Sequence, residues 1–500
     1  GFTSMIPEWS DVYGVASYPD LTGVTLKSSF TDLLAKLGAH SETQDRSASF
    51  FMTGSYSYKD RYVVQGSVRL DGVDIIGTDN RFSPLWNVSG KWNVHNESFM
   101  TRFGFINQLA FRVSYGFVGS IDRNALPFSV LRKVSNYSYN GEKIMDRYDP
   151  SNPSIKWQRQ ENRNIGFDAS LLNNRINLVV NYYDNDTRNL LDDKKIAAST
   201  GRLSVAANVA SVNNRGWEIS LRTLNVRTTD FSWVTSVNFT KNKDKVTETY
   251  YQDLSEVSAS TNSTFESIYN LYIQGRPVKA FYGYKYAGVD PYTGNSLAYV
   301  DGFDDDGNRL GTLTPEGKYV YNMDNDLTTQ LANSSRGYLG RSDPPITGGF
   351  TTQFNYKRFS LFAQFTYMTG HLARSFQYYV SGGTTSASAR NLLKIEANRW
   401  RKPGDMTDVP KYGTSRTEYL YQLFDFRFEK GDYLKCNNIS LGYNLDPALC
   451  AKLYITRARL NLNMANVFTL TKFRGIDPET KGAFTYPSAR TYSFTLSIGI

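Results

Sequence analysis

Hydrophobic and polar residues alternate without interruption over positions 491–500, at the end of the chain. One parity holds small or polar residues and the other is apolar, the apolar members being Tyr492, Phe494, Leu496, Ile498 and Ile500. A period of two predicts a β-strand with one apolar and one polar face. A strand of about 9–11 residues with this pattern can cross a bilayer as part of a β-barrel.

The same alternation recurs along the chain and predicts about 13 strands in total. The predicted strands are 46–58, 61–71, 84–94, 107–118, 160–171, 175–187, 213–224, 231–242, 346–356, 359–370, 432–444, 456–468 and 489–500. Their polar parity includes Arg69 and Arg112, which the dry interface of a β-sandwich would not accommodate. The pattern therefore predicts an all-β fold, a transmembrane antiparallel β-barrel with a lipid-facing exterior and an aqueous interior.

The predicted strand 432–444 changes parity part-way along its length. Cys436 lies on the apolar parity of the first half, whereas Leu441 lies on the apolar parity of the second. A β-bulge adds one residue to a strand and would restore a common apolar face. We therefore predict a bulge near Asn437-Asn438.

Connections between the predicted strands are short at one end of the barrel and long at the other. The short turns are Lys59-Asp60, Asn173-Asn174, 225–230 and Lys357-Arg358, and the long polar stretches are roughly 120–159, 188–211, 243–344 and 371–431. Asparagine tolerates positive φ and suits a tight hairpin. Short periplasmic turns and long extracellular loops are typical of bacterial outer-membrane barrels.

An odd number of predicted strands has a consequence for domain organisation. Single-chain bacterial barrels have even strand numbers, so an odd number of further strands is expected before residue 46. We interpret residues 1–45 as an extracellular loop region and residues 46–500 as the C-terminal part of a larger barrel.

Composition and charge narrow the function classes. The 500 residues contain no apolar run of about 18, which excludes transmembrane helices but not a barrel. The net charge of +9 arises from 56 basic and 47 acidic residues without long runs, so no nucleic-acid partner is expected. An aromatic content of 14% suits the belts at the two membrane interfaces, with a soluble β-rich protein as the alternative.

Residues suited to catalysis or metal binding are sparse. The three histidines, His40, His95 and His371, share no metal-ligand spacing, so no enzyme activity is predicted. A soluble carbohydrate-active enzyme would need paired carboxylates facing one cleft.

One acidic segment is similar to a calcium-binding loop, and its candidate ligands are Asp304, Asp306 and Asn308. Its spacing departs from the EF-hand pattern, because Gly302 and Leu313 stand where that pattern needs acidic ligands. A solvated turn is the favoured interpretation, with a loose structural calcium site as the alternative and no other cofactor expected.

Aromatic side chains in the long polar stretches are the candidates for substrate binding. These residues are Tyr137, Tyr139, Tyr378, Tyr379 and Trp400. Aromatic faces pack well against sugar rings or peptide side chains. The alternative is that they pack the loops themselves or contact a partner protein.

Nine short motifs occur in one order along residues 47–500. They include RY with RLDG at 61–72, LAFRVSYGFVG at 109–119, GRPVKAFYGYKYAG at 275–288, GDYLK at 431–435 and NVFT with GIDPE at 466–479. In these motifs the chain resembles the C-terminal barrel half of the SusC/RagA family of TonB-dependent outer-membrane transporters of Bacteroidetes. It departs from the family in ending on Ile500, where phenylalanine is frequent.

The resemblance implies a plugged barrel of about 22 strands, of which this chain supplies about 13 and not the plug. It implies import of a bulky nutrient, such as an oligosaccharide or oligopeptide. The implied partners are a SusD-like lipoprotein lid, TonB acting through a plug and TonB box outside this chain, an N-terminal barrel and plug segment, and outer-membrane lipid. Two alternative functions are a passive outer-membrane porin or structural barrel and a soluble carbohydrate-active β protein.

Overall fold

The computed structural model describes most of the chain from residue 46 onward. The described residues are 46–74, 76, 80–122, 130–139, 142–149, 152–200, 204–250, 273–300, 311–322, 337–375, 394–411, 424–479 and 486–499. The interpretation of residues 1–45 as an extracellular loop region therefore lies outside the described residues.

Among the described residues, thirteen strands form one large sheet. They are β1 (Ser47–Tyr58), β2 (Tyr62–Val73), β3 (Phe82–Asn93), β4 (Ile106–Ser120), β7 (Gln158–Leu171), β8 (Ile176–Lys195), β9 (Ser204–Arg227), β10 (Phe231–Glu248), β17 (Ile346–Tyr356), β18 (Phe359–Thr369), β21 (Tyr433–Asn444), β22 (Arg457–Thr471) and β23 (Thr491–Gly499). Each strand pairs antiparallel with the next in this order, and the order begins at β1 and ends at β23. All 13 predicted strands are thus confirmed.

Ten shorter strands lie in the described parts of the long connections. They are β5 (Val130–Tyr139), β6 (Glu142–Asp149), β11 (Ala280–Gly283), β12 (Lys285–Val289), β13 (Ser296–Val300), β14 (Thr312–Leu313), β15 (Tyr319–Asn322), β16 (Gly337–Arg341), β19 (Leu372–Arg374) and β20 (Phe428–Lys430). They form four small sheets, which pair β5 with β6, β11 with β16, β19 with β20, and β12, β13, β15 and β14 in that order.

Helical structure among the described residues is brief. One α-helix covers Pro447–Lys452, and 3-10 turns cover Val94–Asn96, Ser98–Arg102, Ala198–Thr200, Lys394–Asn398 and Asp425–Arg427. Within the described part of the chain, none of the helices has the length and apolar character needed to span a bilayer.

The strand register places apolar side chains opposite apolar side chains across the large sheet. Leu462, for example, lies between Leu441 on β21 and Phe494 on β23, and Phe350 on β17 stacks on Phe365 of β18 at 4.5 Å between ring centroids. This face is exposed, with Phe494 65% and Leu462 51% accessible. An exposed apolar face of this extent is stable against lipid and not against water.

The opposite face is polar and hydrogen-bonded between strands. Asn461 accepts a hydrogen bond from Ser440 at 3.1 Å, and Ser220 donates to Asn238 at 3.0 Å. Arg69 donates to Asp71 at 2.5 Å. The two parities therefore separate a lipid-facing surface from an inner, water-compatible surface, as the alternation predicts.

The predicted irregularities of the backbone are also present. The register of β21 shifts between Cys436 and Asn438 against both neighbouring strands, which confirms the bulge. The tight turns place Lys59, Asp60, Asn173, Asn174 and Lys357 at φ between 51° and 61°. These turns lie at the end of the sheet that is periplasmic in the outer-membrane layout.

Three central strands are longer than predicted. β8, β9 and β10 have 20, 24 and 18 residues, whereas about 9–11 residues span a bilayer. The assignment of 188–211 to a loop is therefore wrong at both ends, because Lys194 pairs with Val205 and Asp192 with Ala207. The sheet continues past the membrane on the side of the long connections.

A small helix closes the turn between β21 and β22 at the periplasmic end. Asp446 caps it by accepting a hydrogen bond from the backbone N–H of Ala448 at 2.9 Å, with Pro447 at the start of the helix. The other carboxylate oxygen pairs with Arg358 at 2.5 Å, in the turn between β17 and β18. The Ala448 N–H and then the Arg358 guanidinium lower the pKa of Asp446 below its ordinary value of 3.8.

Collision measurements on spin labels test the assignment of the two faces. A label on Leu462→Cys is expected to collide frequently with dissolved oxygen, which concentrates in lipid. A label on Asn463→Cys is expected to collide frequently with a water-soluble nickel chelate. The unsubstituted protein serves as the blank, because Cys436 and Cys450 are both buried. If the label at position 463 collided with oxygen and the label at position 462 with the nickel chelate, the assignment of the two faces would be wrong and the basis for a membrane barrel would be lost.

Asp446→Asn is expected to lower the melting temperature of the detergent-solubilised protein at pH 7. Because the folded-state pKa of Asp446 lies below that of the unfolded chain, its charge stabilises the fold fully above the unfolded value. That stabilisation is lost as the pH falls through the lower folded-state pKa. The difference between variant and parent should thus shrink below about pH 3.8.

The matched control is Asp60→Asn, in the periplasmic turn between β1 and β2. Among the described residues the Asp60 carboxylate has no ion pair and accepts only a 3.5 Å hydrogen bond from Ser57, while its backbone carbonyl accepts from Asn93 and Asn96, which the substitution leaves in place. A pH-independent difference for Asp446→Asn would contradict the charge-based explanation.

Candidate functional site: the inner wall and the extracellular loop layer

Arg112 is the central charged group of the inner wall. Its Nη2 donates to Asp168 Oδ1 at 2.7 Å on β7 and to Asn181 Oδ1 at 3.0 Å on β8. These three strands are consecutive in the sheet, so their polar parity brings the three side chains together. Arg112 Nε has no hydrogen-bond partner among the described residues. The wall thus presents an arginine that is paired with a carboxylate and keeps one N–H donor without an acceptor.

A cavity of about 510 Å³ lies beside Arg112. Its polar lining residues are Gln65, Ser89, Lys91, Ser114, Asn164, Asn181, Tyr183 and Glu218. They come from β2, β3, β4, β7, β8 and β9, so the cavity is a depression in the sheet surface. Such a surface offers donors and acceptors for another polypeptide segment, for solute or for water.

The segment Gly275–Gly288 forms an aromatic core above the wall. Tyr284 and Phe424 are both fully buried, with ring centroids 6.3 Å apart, and Tyr286 lies 4.9 Å from Phe424. Phe281 lies 4.6 Å from Phe428. The core joins the connection between β10 and β17 to the connection between β18 and β21. The two longest connections therefore form one packed loop layer.

An ion pair fastens the loop layer to the wall. Asp244, on the inner parity of β10, pairs with Arg341 of β16 and also accepts a hydrogen bond from the Val278 backbone N–H at 2.8 Å. Arg341 Nε donates to the Asp343 carbonyl at 2.8 Å. Both charged side chains are mostly buried, at 14% and 16% exposure. The pair fixes the start and the end of the connection at one point.

Trp400 is the only predicted aromatic contact residue whose side chain the structure describes. Its indole N–H donates to the Pro291 carbonyl at 2.9 Å, and its ring lies where a side chain at Gly294 would extend. Gly294 has φ +74°, a conformation that favours glycine. Trp400 is half-buried and packs against a loop turn, and its role in substrate binding stays a prediction.

The turn that Trp400 contacts is organised by Asp290. The carboxylate accepts hydrogen bonds from the Tyr292 N–H at 2.9 Å and from the Thr293 hydroxyl at 2.7 Å. Asn322 donates to it at 3.0 Å. Burial raises the pKa of Asp290, but the hydrogen bonds from Tyr292, Thr293 and Asn322 outweigh it and lower the pKa. The Asp290 carboxylate therefore stabilises the conformation of this loop turn.

The other predicted site residues are not tested by the structure. The backbone of Tyr137 and Tyr139 lies in β5, and nothing is described of their side chains. Tyr378, Tyr379, Asp304, Asp306 and Asn308 lie outside the described residues. Their roles in substrate or calcium binding remain predictions. Within the described ranges, no three His, Cys, Asp or Glu side chains are grouped to hold a metal ion.

Two features of the loop layer were not predicted from the sequence. One is the aromatic core, and the other is the Asp244–Arg341 ion pair. A period-two pattern of aromatic residues at 282, 284 and 286 and at 424, 426 and 428 was available in the sequence as a signal of local strands. The ion pair joins residues 97 positions apart and has no local signal.

A family model described as "TonB dependent receptor-like, beta-barrel" matches residues 8–308, which is more than half of the chain. The chain belongs to this family. Its members are outer-membrane proteins, in agreement with the lipid-facing sheet and with the long connections at one end. The predicted resemblance and localisation are both confirmed.

Individual relatives agree with the family assignment. The TonB-dependent receptor P39 of Formosa agariphila is 28% identical over 460 residues, covering 86% of this chain and 43% of the relative. The TonB-dependent receptor SusC of Bacteroides thetaiotaomicron is 25% identical over 478 residues, covering 91% and 44%. A structure of the RagAB peptide transporter matches with a TM-score of 0.72 and 27% identity, covering 92% of this chain and 48% of that one.

This chain spans about half the length of the relatives it matches. The comparisons therefore describe the barrel wall and its loops.

Arg341→Met is expected to release the loop connection from β10. Removing one partner of a mostly buried ion pair leaves an uncompensated charge and costs on the order of 3 kcal/mol. Hydrogen exchange should accelerate in residues 273–300 and 337–345 and stay unchanged in the periplasmic turns.

The matched control is Lys279→Met, which removes the neighbouring Lys279–Asp343 pair. That pair spans 3.5 Å and is exposed, at 53% and 43%. Exposed pairs contribute about 0–1 kcal/mol, so exchange should hardly change. Equal effects of the two variants would show that Asp244–Arg341 is not the fastening point.

Proposed function

We propose that this chain supplies the C-terminal barrel wall and the extracellular loop layer of a TonB-dependent, SusC-like importer of a bulky nutrient. The observation that carries the proposal is the combination of a lipid-facing wall with a packed loop layer fastened to its inner parity at Asp244. A loop layer held in this way can shape the entrance to the barrel without blocking the lipid-facing surface.

The proposal includes an N-terminal segment that completes the barrel and fills it. An unpaired strand edge is costly in hydrocarbon, so the outer edges of β1 and β23 require strand partners. The Arg112 Nε–H, which has no acceptor among the described residues, and the polar cavity beside it are suited to hydrogen bonding with a plug. The relatives, which are about twice as long, are consistent with such a segment.

The proposed partners act at opposite ends of the barrel. At the periplasmic end, TonB would pull on the plug through a TonB box outside this chain. At the extracellular end, a SusD-like lipoprotein lid would close over the loop layer and trap substrate against it. Support for a lid comes from the likeness to SusC and RagAB and from the packed aromatic core of the layer that would receive it.

The substrate class is an oligosaccharide or an oligopeptide. The structural relative is described as a peptide transporter, which favours a peptide. Exposed loop aromatics such as Tyr292, at 76% exposure, suit sugar rings and peptide side chains alike. No catalytic role is proposed.

Uptake in cells tests the proposal against a passive porin, the second candidate function. Fluorescent oligosaccharides and oligopeptides are supplied to cells that produce the complete receptor with its lipoprotein partner. Uptake of one class is expected to require TonB and the proton-motive force, because a plugged barrel opens only when energy is supplied. Deleting the lipoprotein should also reduce it strongly.

Conductance provides the independent readout. The complete receptor in a planar bilayer is expected to show no stable open conductance, since the plug fills the lumen of the barrel. TonB-independent uptake together with a stable open conductance would contradict active import and support the porin alternative.

A further inference from the structure

The lipid-facing parity of the sheet continues into a cluster of basic residues above the apolar band. Four of these define the outer basic patch: Arg215 on β9 and Lys241, Lys243 and Lys245 on β10. The register is regular here, with Lys241 opposite Trp217 and Lys243 opposite Arg215. Trp217 is 47% exposed and belongs to the apolar face. The patch therefore lies on the outside of the wall, toward the extracellular end.

Nearby acidic residues are already engaged by other groups. Glu161 accepts from Arg163 at 2.6 Å, and Asp186 lies 3.5 Å from Arg163. The Asn213 amide donates to Asp184 and to Asp186, each at 2.7 Å. Asp184 is opposite Arg215 in the register, yet the described residues contain no ion pair between them.

The members of the patch remain exposed and without acidic partners among the described residues. Asp244 lies between Lys243 and Lys245 in sequence, but it points to the inner side and pairs with Arg341. Arg215 and Lys243 face each other directly across two strands, an arrangement of like charges that destabilises a sheet. An anion bound between them would remove this repulsion.

We propose that the outer basic patch binds the phosphate groups of outer-leaflet lipids. The same sheet face contacts acyl chains immediately below it, so the headgroups of those lipids lie at the level of the patch. Arginine binds phosphate through paired N–H donors and lysine through a point charge. The long lysine side chains can extend from the apolar boundary toward the headgroups.

A lipid occupant is favoured over a protein by this continuity with the lipid-facing surface. The patch adjoins Trp217, and the same sheet face continues from Trp217 through Tyr182 on β8 to Ile165 on β7, which is 61% accessible. The same continuity favours a phosphorylated lipid over free phosphate, because the acyl chains of a lipid can contact the apolar face while its headgroup contacts the patch. The patch would anchor the wall at a fixed depth in the outer leaflet.

Binding of bisphosphorylated lipid A to the purified, complete receptor in detergent tests the proposal, with native mass spectrometry as the readout. The test variant carries Arg215→Gln, Lys241→Gln, Lys243→Gln and Lys245→Gln. It is expected to bind this lipid about tenfold or more weakly, because each basic residue near a membrane surface adds to anionic-lipid affinity. Binding of phosphatidylcholine should be unchanged.

Two controls separate charge position from total charge and from folding. Lys59→Gln, Lys357→Gln, Lys452→Gln and Arg457→Gln remove four exposed charges at the periplasmic end and should leave lipid A binding intact. Replacing the three patch lysines by arginine keeps their charge and should retain binding. Heat-dependent gel mobility verifies that each variant is folded.

Three results would overturn the proposal. The first is equal lipid A binding by the test variant and the parent protein, and the second is an equal loss in the periplasmic variant. The third is complete displacement of lipid A by millimolar inorganic phosphate alone, which would indicate a site for the free anion. If the fourfold test variant does not fold, the double variant Arg215→Gln with Lys243→Gln, which removes the two facing charges, takes its place. The same outcomes then apply to the double variant.

Discussion

The structure depends on the requirement that every backbone N–H and C=O group in hydrocarbon has a hydrogen-bond partner. The 13-stranded sheet meets this requirement between its first and last strands by pairing each strand with its neighbour. Once the backbone is satisfied in this way, side chains alternate across the sheet by geometry alone. The lipid-facing surface, the polar inner wall and the positions of the loop anchors all follow from that alternation.

Much of the wall could be predicted because its signal is local. A period of two sustained over ten residues identifies a strand, and a parity change identifies the bulge beside Asn437. The asparagine pair at 173–174 identifies a tight turn, and both residues have positive φ. The ends of β8, β9 and β10 were missed, because the alternation is lost beyond the membrane. Charged residues occupy both parities at 192–195 and 243–245, and apolar or small residues occupy both parities at 205–207.

The loop layer could not be predicted because its contacts are distant in sequence. β11 pairs with β16 about 60 residues later, and Tyr284 packs on Phe424 in a different connection. Trp400 illustrates the ambiguity of a single loop aromatic: its sequence position suits ligand contact, whereas its indole N–H binds the Pro291 carbonyl. The outer basic patch has a sequence signal, because lysines alternate at Lys241, Lys243 and Lys245. The nearly balanced charge of the whole chain obscured this local excess of basic residues.

Strand β10 combines two tasks in five residues. Asp244 faces inward to hold Arg341, while its neighbours Lys243 and Lys245 face outward. Inserting one residue just before this segment would turn the carboxylate toward lipid and the amines toward the interior, so both tasks would fail together. Insertions after Glu248, where β10 ends, would leave them unaffected. Length variation among related chains should therefore be tolerated beyond this strand and selected against within it.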